Sequence, residues 1–133
     1  MTTTLPAFIA ANRLTMTAER TDSNPHMEVE SVSMDHWRVT LRCGGRRMTL
    51  TFSQGFGHHG AAPELASVLD CLASDSSSVE GNDFESWASD FGYSTDSRKA
   101  LKTYNVCVRQ MRSLGRLLGP DAYSALLWDT ERL

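Results

Sequence analysis

Between Asp35 and Ser53 the side chains alternate in polarity on both sides of one glycine pair. Trp37, Val39 and Leu41 share one face of the first run, and His36, Arg38, Thr40 and Arg42 share the other. Beyond Gly44-Gly45, Met48, Leu50 and Phe52 alternate with Thr49, Thr51 and Ser53. A period of two marks a strand with one buried face. Two such runs joined by residues that accept positive φ read as a β-hairpin. An antiparallel sheet that is apolar on one side only needs a cover for that side, so the rest of the chain must supply one.

Leu14–Arg20 repeats the alternation and adds a third strand, followed by the turn cluster Thr21-Asp22-Ser23-Asn24-Pro25. The cover is helical. Leu5–Ala11 has a helical tendency, with Leu5, Phe8 and Ile9 on one face. Pro63 suits a first helical position, and Leu65, Val68, Leu69 and Leu72 form a stripe to about Ser74. The serine-rich stretch Ser74–Gly81 reads as a mobile linker. Asn82 and Glu85 have capping-box spacing before a short helix, Asp83–Asp90. That helix has Phe84, Trp87 and Phe91 on one side and is stopped by Gly92. Thr95 or Asp96 can cap the longest helix, Ser97–Leu118, and Gly119 suits its C′ position. Pro120 opens a last helix, Asp121 to about Thr130, burying Tyr123, Leu126 and Leu127. The expected fold is α+β. An antiparallel sheet of about three strands (β-rich 13–53) packs against about four helices (63–130), in one domain, 1–133.

Composition narrows the class. The chain has 133 residues, 41% of them hydrophobic, enough for a single buried core without metal or disulfide support. No window approaches the ~20 uncharged apolar residues of a membrane span. The opening Met1-Thr2-Thr3-Thr4-Leu5-Pro6 lacks the basic and apolar parts of a signal peptide. Cys43, Cys71 and Cys107 are odd in number and form no C-x-x-C. They read as free, buried thiols in a reducing cytoplasm.

A net charge of −3 conceals a sorting of charge. From Gln54 to Ser97 there is no Lys or Arg, but there are Glu64, Asp70, Asp75, Glu80, Asp83, Glu85, Asp90 and Asp96. Arg98, Lys99, Lys102, Arg109, Arg112 and Arg116 follow, with no acid before Asp121. At about 100° per residue, Arg98, Lys102, Arg109, Arg112 and Arg116 fall within a stripe about 80° wide. Ala100, Tyr104, Cys107, Met111, Leu114 and Leu118 lie opposite, so the helix is amphipathic. Such a stripe can follow a phosphate backbone, and it is also what a solvated helix face presents. Nearby acids such as Asp90 or Asp96 can balance it. Arg38, Arg42, Arg46 and Arg47 of the hairpin extend the basic surface if the fold brings the two together. The acidic stretch, through residues such as Asp75, Glu80 and Asp83, can in turn meet a basic protein partner or simply be solvated.

No catalytic constellation is legible. Gly55-x-Gly57-x-x-Gly60 has dinucleotide-fingerprint spacing but no βαβ context. His58 and His59 are adjacent, with His26 and His36 remote, and no metal-ligand spacing joins them. No nucleophile elbow is present. The expectation is a non-enzyme without cofactor or metal.

One run is distinctive: Phe84-Glu85-x-Trp87-x-x-x-Phe91-Gly92-Tyr93-x-x-Asp96-Ser97-Arg98-Lys99-Ala100. With Val68-Leu69-Asp70-Cys71-Leu72, Thr103-Tyr104 and Met48-Thr49-Leu50-Thr51-Phe52-Ser53-x-Gly55, it resembles small proteins encoded by bacteriophages and prophages. The resemblance runs from about Trp37 to Leu118. It implies a phage or mobile-element accessory protein acting in the bacterial cytoplasm. By analogy with anti-CRISPR proteins, it implies a non-catalytic inhibitor that binds a host defence complex, such as a CRISPR effector, by protein–protein contact, with Asp75, Glu80 and Asp83 as candidate contacts. The alternative is a nucleic-acid binder using Arg98, Lys102, Arg109, Arg112 and Arg116. The four aromatic residues of the motif, Phe84, Trp87, Phe91 and Tyr93, can equally serve to anchor the short helix.

Overall fold

The computed structural model describes residues 3–21, 34–55 and 61–131. In chain order the elements are β1 (Thr3–Thr4), α1 (Leu5–Ala11), β2 (Thr15–Thr21), β3 (Asp35–Cys43), β4 (Arg46–Gln54), α2 (Leu65–Val79), α3 (Phe84–Asp90), α4 (Arg98–Leu118), α5 (Pro120–Trp128) and β5 (Thr130–Glu131). Strands β2, β3 and β4 form an antiparallel meander in that order. The fold is α+β, with α2–α5 in the second half of the chain, as the sequence predicts.

The hairpin turns at Gly44-Gly45, where only Gly44 has positive φ (+61°). Positive φ at the first loop position alone is the II′ arrangement, which matches the twist of the flanking strands. It sets the register Leu41↔Met48, Val39↔Leu50 and Trp37↔Phe52, so one face of the hairpin is apolar throughout. Val39 and Leu41 are fully buried there, against Val68, Leu69 and Leu72 of α2 and Leu114 and Leu117 of α4. Truncating one such leucine to alanine removes about 2–5 kcal/mol. At the margin of this face Arg20 pairs with Asp35 at 2.6 Å and lies 5.7 Å from the Trp37 ring centre. A parallel pair, Thr3↔Thr130 and Thr4↔Glu131, ties the first described residues to the last. A second cluster, built on Val79, Trp87, Ala88, Ala100 and Cys107, joins α3 to α4.

Several local expectations are corrected. Helix α2 does not end near Ser74 but continues to Val79. The serines fit within it by turning their hydroxyls onto its carbonyls: Ser77 Oγ donates to Ala73 O (2.8 Å) and Ser78 Oγ to Asp75 O (2.7 Å). Ser76 is small enough to be wholly buried, and Val79 anchors the end in the second cluster. Asn82 does not open α3. Its side chain donates to Ser78 O (3.0 Å) and closes α2, while Asp83 caps α3 by accepting from Ser86 N (2.8 Å). Ser97, rather than Thr95 or Asp96, caps α4 by accepting from Ala100 N (3.1 Å). His36, expected on the polar sheet face, is buried, with Nδ1 2.7 Å from Ser53 Oγ. Cys71 is exposed, whereas Cys43 and Cys107 are buried. Tyr123 is only partly buried. No helix among the described residues is long and apolar enough to cross a membrane.

Candidate nucleic-acid interface

Helix α4 has 21 residues and spans about 30 Å. Its apolar side, Ala100, Cys107, Leu114, Leu117 and Leu118, is buried, and this fixes which side faces out. Arg98, Arg109, Arg112 and Arg116 are exposed, and Lys102 is partly so. Arg98, Lys102, Arg109 and Arg112 line one shallow depression of about 550 Å³, together with Leu101, Asn105 and Val108. Arg116 lines the next, of about 410 Å³, where Arg46, Arg47 and Thr49 of β4 meet Ser113 and Leu117 of α4. Arg109 also lines a third, against Met48, Thr49 and Leu50.

The hairpin and the helix stripe therefore share one basic surface. Arg47 joins them: it stands opposite Arg42 in the register and beside Arg116 in the depression. Arg42 donates to Thr17 Oγ1 (3.2 Å) on the uncovered sheet face. The sequence left this junction open because a hairpin's polar face and a distant helix carry no signal of their mutual placement.

The arginines of this surface are not neutralised by the described acids. Among the described residues, Arg46, Arg47, Arg98, Arg109, Arg112 and Arg116 make no ion pair with a carboxylate, whether from Asp90, Asp96 or elsewhere. Arg116 reaches only Ser113 Oγ, at 3.4 Å. The first turn of α4 holds no acid either, so Arg98 and Lys99 sit at the positive end of the helix dipole. This arrangement opposes helix stability and reinforces the positive potential where the stripe begins.

The acidic residues are differently placed. Asp75 is partly buried, and desolvation raises its carboxyl above the ordinary 3.8. Glu80 accepts a hydrogen bond from Tyr123 Oη at 2.8 Å. Asp83 is the cap of α3, and hydrogen bonding from Ser86 holds its carboxyl below the usual range. The structure thus assigns these three carboxylates separate local tasks.

The aromatic motif divides. Trp87 is buried and Phe84 partly so, while Phe91 and Tyr93 are exposed at 58% and 45% although both rings lie against Trp87. His26, His58 and His59, with Gly57 and Gly60, lie outside the described residues. Among the described residues, no group of three or more His, Cys, Asp or Glu is placed to hold a metal ion. Compared with protein-family models, curated proteins and solved structures, the chain matches none.

Proposed function

We propose that this chain is a non-catalytic binding protein that contacts nucleic acid, free or within a nucleoprotein assembly. The contact surface is the outer face of α4 joined to the hairpin arginines Arg46 and Arg47. The single observation carrying this reading is the continuous run of exposed guanidinium groups with no carboxylate partner among the described residues. Phosphates are the complement of such a run, and binding by it falls steeply with salt. The net charge of −3 does not oppose it, because no acid lines the two basic depressions.

The resemblance of residues 37–118 to phage and prophage proteins supports placing the assembly among host defence complexes, a CRISPR effector among them. In that reading the chain is an inhibitor in the bacterial cytoplasm. Its basic face, more than Asp75, Glu80 and Asp83, supplies the contact.

The test is a gel-shift titration with short duplex and single-stranded DNA and RNA at low and moderate salt. Binding that weakens with salt and is lost in Arg109→Glu/Arg112→Glu is expected. Absence of binding to every probe at low salt rejects the nucleic-acid reading and returns the search to protein partners.

A further inference from the structure

Strand β4 lies at the edge of its sheet. The two-residue turn makes Cys43 and Arg46 the first hydrogen-bonded pair of the hairpin. Bonding then alternates, so Arg47, Thr49 and Thr51 direct their N–H and C=O groups away from β3. Among the described residues, no backbone hydrogen bond outside the ladder reaches them. An open edge of this kind is a template for another strand.

A trough accompanies the edge. Three depressions of about 410, 270 and 370 Å³ follow one another along 46–49, 48–50 and 50–53. Helix α4 lines all three and α2 joins it at the last. The last one differs in charge. It is lined by Asp70, Cys71 and Asp75 of α2 and Gln110 of α4, and by no Lys or Arg. Two acceptors of these partly buried side chains, Asp70 Oδ1 and Gln110 Oε1, have no donor among the described residues. Native proteins nearly always satisfy buried acceptors. Asp75 is desolvated at the same place, which raises its carboxyl, and among the described residues no cation pairs with it. A donor-rich cation is the complement of this set.

We propose that the β4 edge binds an extended segment of a partner protein, which adds as a fourth strand beside Arg47–Thr51 and seats one Arg or Lys side chain among Asp70, Asp75 and Gln110. A guanidinium suits this set best, since its fork of N–H donors can serve a carboxylate and an amide oxygen together. A second copy of the chain fits less well. A two-fold axis through the middle of β4 would bring two copies of Arg109 together, because Arg109 lines the depression beside Met48–Leu50. The edge begins on the basic face at Arg47, whereas the seat among Asp70, Asp75 and Gln110 lies beyond it; the proposal does not rest on the nucleic-acid reading.

The test is fluorescence anisotropy with a labelled peptide of about nine residues, alternating Thr and Val around one central Arg. Saturable binding is expected. Exchanging the Arg for its neutral isostere citrulline should weaken it at least about tenfold. N-methylation of alternate backbone nitrogens should abolish it on the strand-pairing edge only. On the protein side, Asp70→Asn/Asp75→Asn should match the citrulline effect. Thr49→Pro should abolish binding while preserving the β3–β4 ladder, because that N–H points outward. The two peptide changes need no protein variant, so a misfolded mutant cannot obscure the result. No saturable binding, equal binding of the citrulline peptide, or indifference to N-methylation on either edge overturns the proposal. Concentration-dependent self-association in sedimentation, lost in Thr49→Pro, overturns it in favour of a second copy.

Discussion

The segment 54–97 and helix α4 carry opposite charges, and three acids of the segment are engaged or withdrawn from water where the outer arginines of α4 are not. In the acidic segment, Asp83 caps a helix, Glu80 accepts from Tyr123 and Asp75 is half withdrawn from water. On α4, Arg98, Arg109 and Arg112 are exposed without an ion pair among the described residues. The reason lies in side-chain length. An Asp carboxylate stays within reach of its own backbone, so helix ends recruit it. An Arg stem carries its charge clear of the chain, leaving the guanidinium for solvent or a partner.

Charge reversal on the two sides should give the largest contrast. Arg109→Glu/Arg112→Glu is expected to weaken nucleic-acid binding about 100-fold near 50 mM salt. It should also flatten the salt dependence by about two phosphate contacts. Glu80→Gln/Asp83→Asn should leave affinity within about twofold, since neither group faces the basic depressions. Gel-shift titrations at three salt concentrations measure both. If the acidic pair has the larger effect, the contact surface has been assigned to the wrong side.

Much of the fold was legible because alternation and helical periodicity are direct consequences of burial. The register of β3 and β4 follows from Trp37, Val39 and Leu41 facing Phe52, Leu50 and Met48. The inner face of α4 follows from the spacing of Ala100, Cys107 and Leu114. The extension of α2 was not legible, because Ser74–Ser78 is helix-indifferent by composition. It is held by the burial of Val79 in the second cluster, and its hydroxyls at Ser77 and Ser78 are satisfied on its own carbonyls. Of the candidate site, the stripe Arg98–Arg116 could be read from angular spacing alone. The joining of Arg46 and Arg47 to it could not, since that depends on where α4 crosses the sheet. The trough of Asp70, Asp75 and Gln110 was equally hidden, because it needs α2, α4 and an open strand edge together.

The acidic side divides further under pH. Asp75 has its folded-state carboxyl raised above 3.8 by desolvation. Its favourable contribution is therefore present below that value and lost as pH rises through the folded pKa. Asp75→Asn is expected to raise the thermal midpoint by a few degrees near neutral pH and to change little in acid. Asp83 has the opposite sign, because hydrogen bonds from Ser86 lower its carboxyl. Its contribution is present above 3.8 and lost as pH falls through the lowered value. Asp83→Ala should lower the midpoint near neutral pH. Asp83→Asn should recover most of that loss, since Asn also caps, but without the acid dependence. Thermal melts from pH 3 to 8 separate the two. Parallel pH profiles for Asp75→Asn and Asp83→Asn would mean that these carboxylates do not occupy different environments.

The smallest effect concerns Glu80, which is exposed like Asp83. Its one described partner is Tyr123 Oη, at 2.8 Å. The phenol is only partly buried, and burial followed by the Glu80 interaction pushes its ionisation well above the ordinary 10. Because water competes for an exposed hydrogen bond, Tyr123→Phe should destabilise the fold by less than about 1 kcal/mol. Glu80→Ala should do the same, and the double variant should cost little more than either, because both changes remove one interaction. Denaturant melts of the three variants give the coupling. Additive losses would show that Glu80 and Tyr123 stabilise the fold separately, which would free the Glu80 carboxylate to act as a contact group and erode the contrast between the two charged regions.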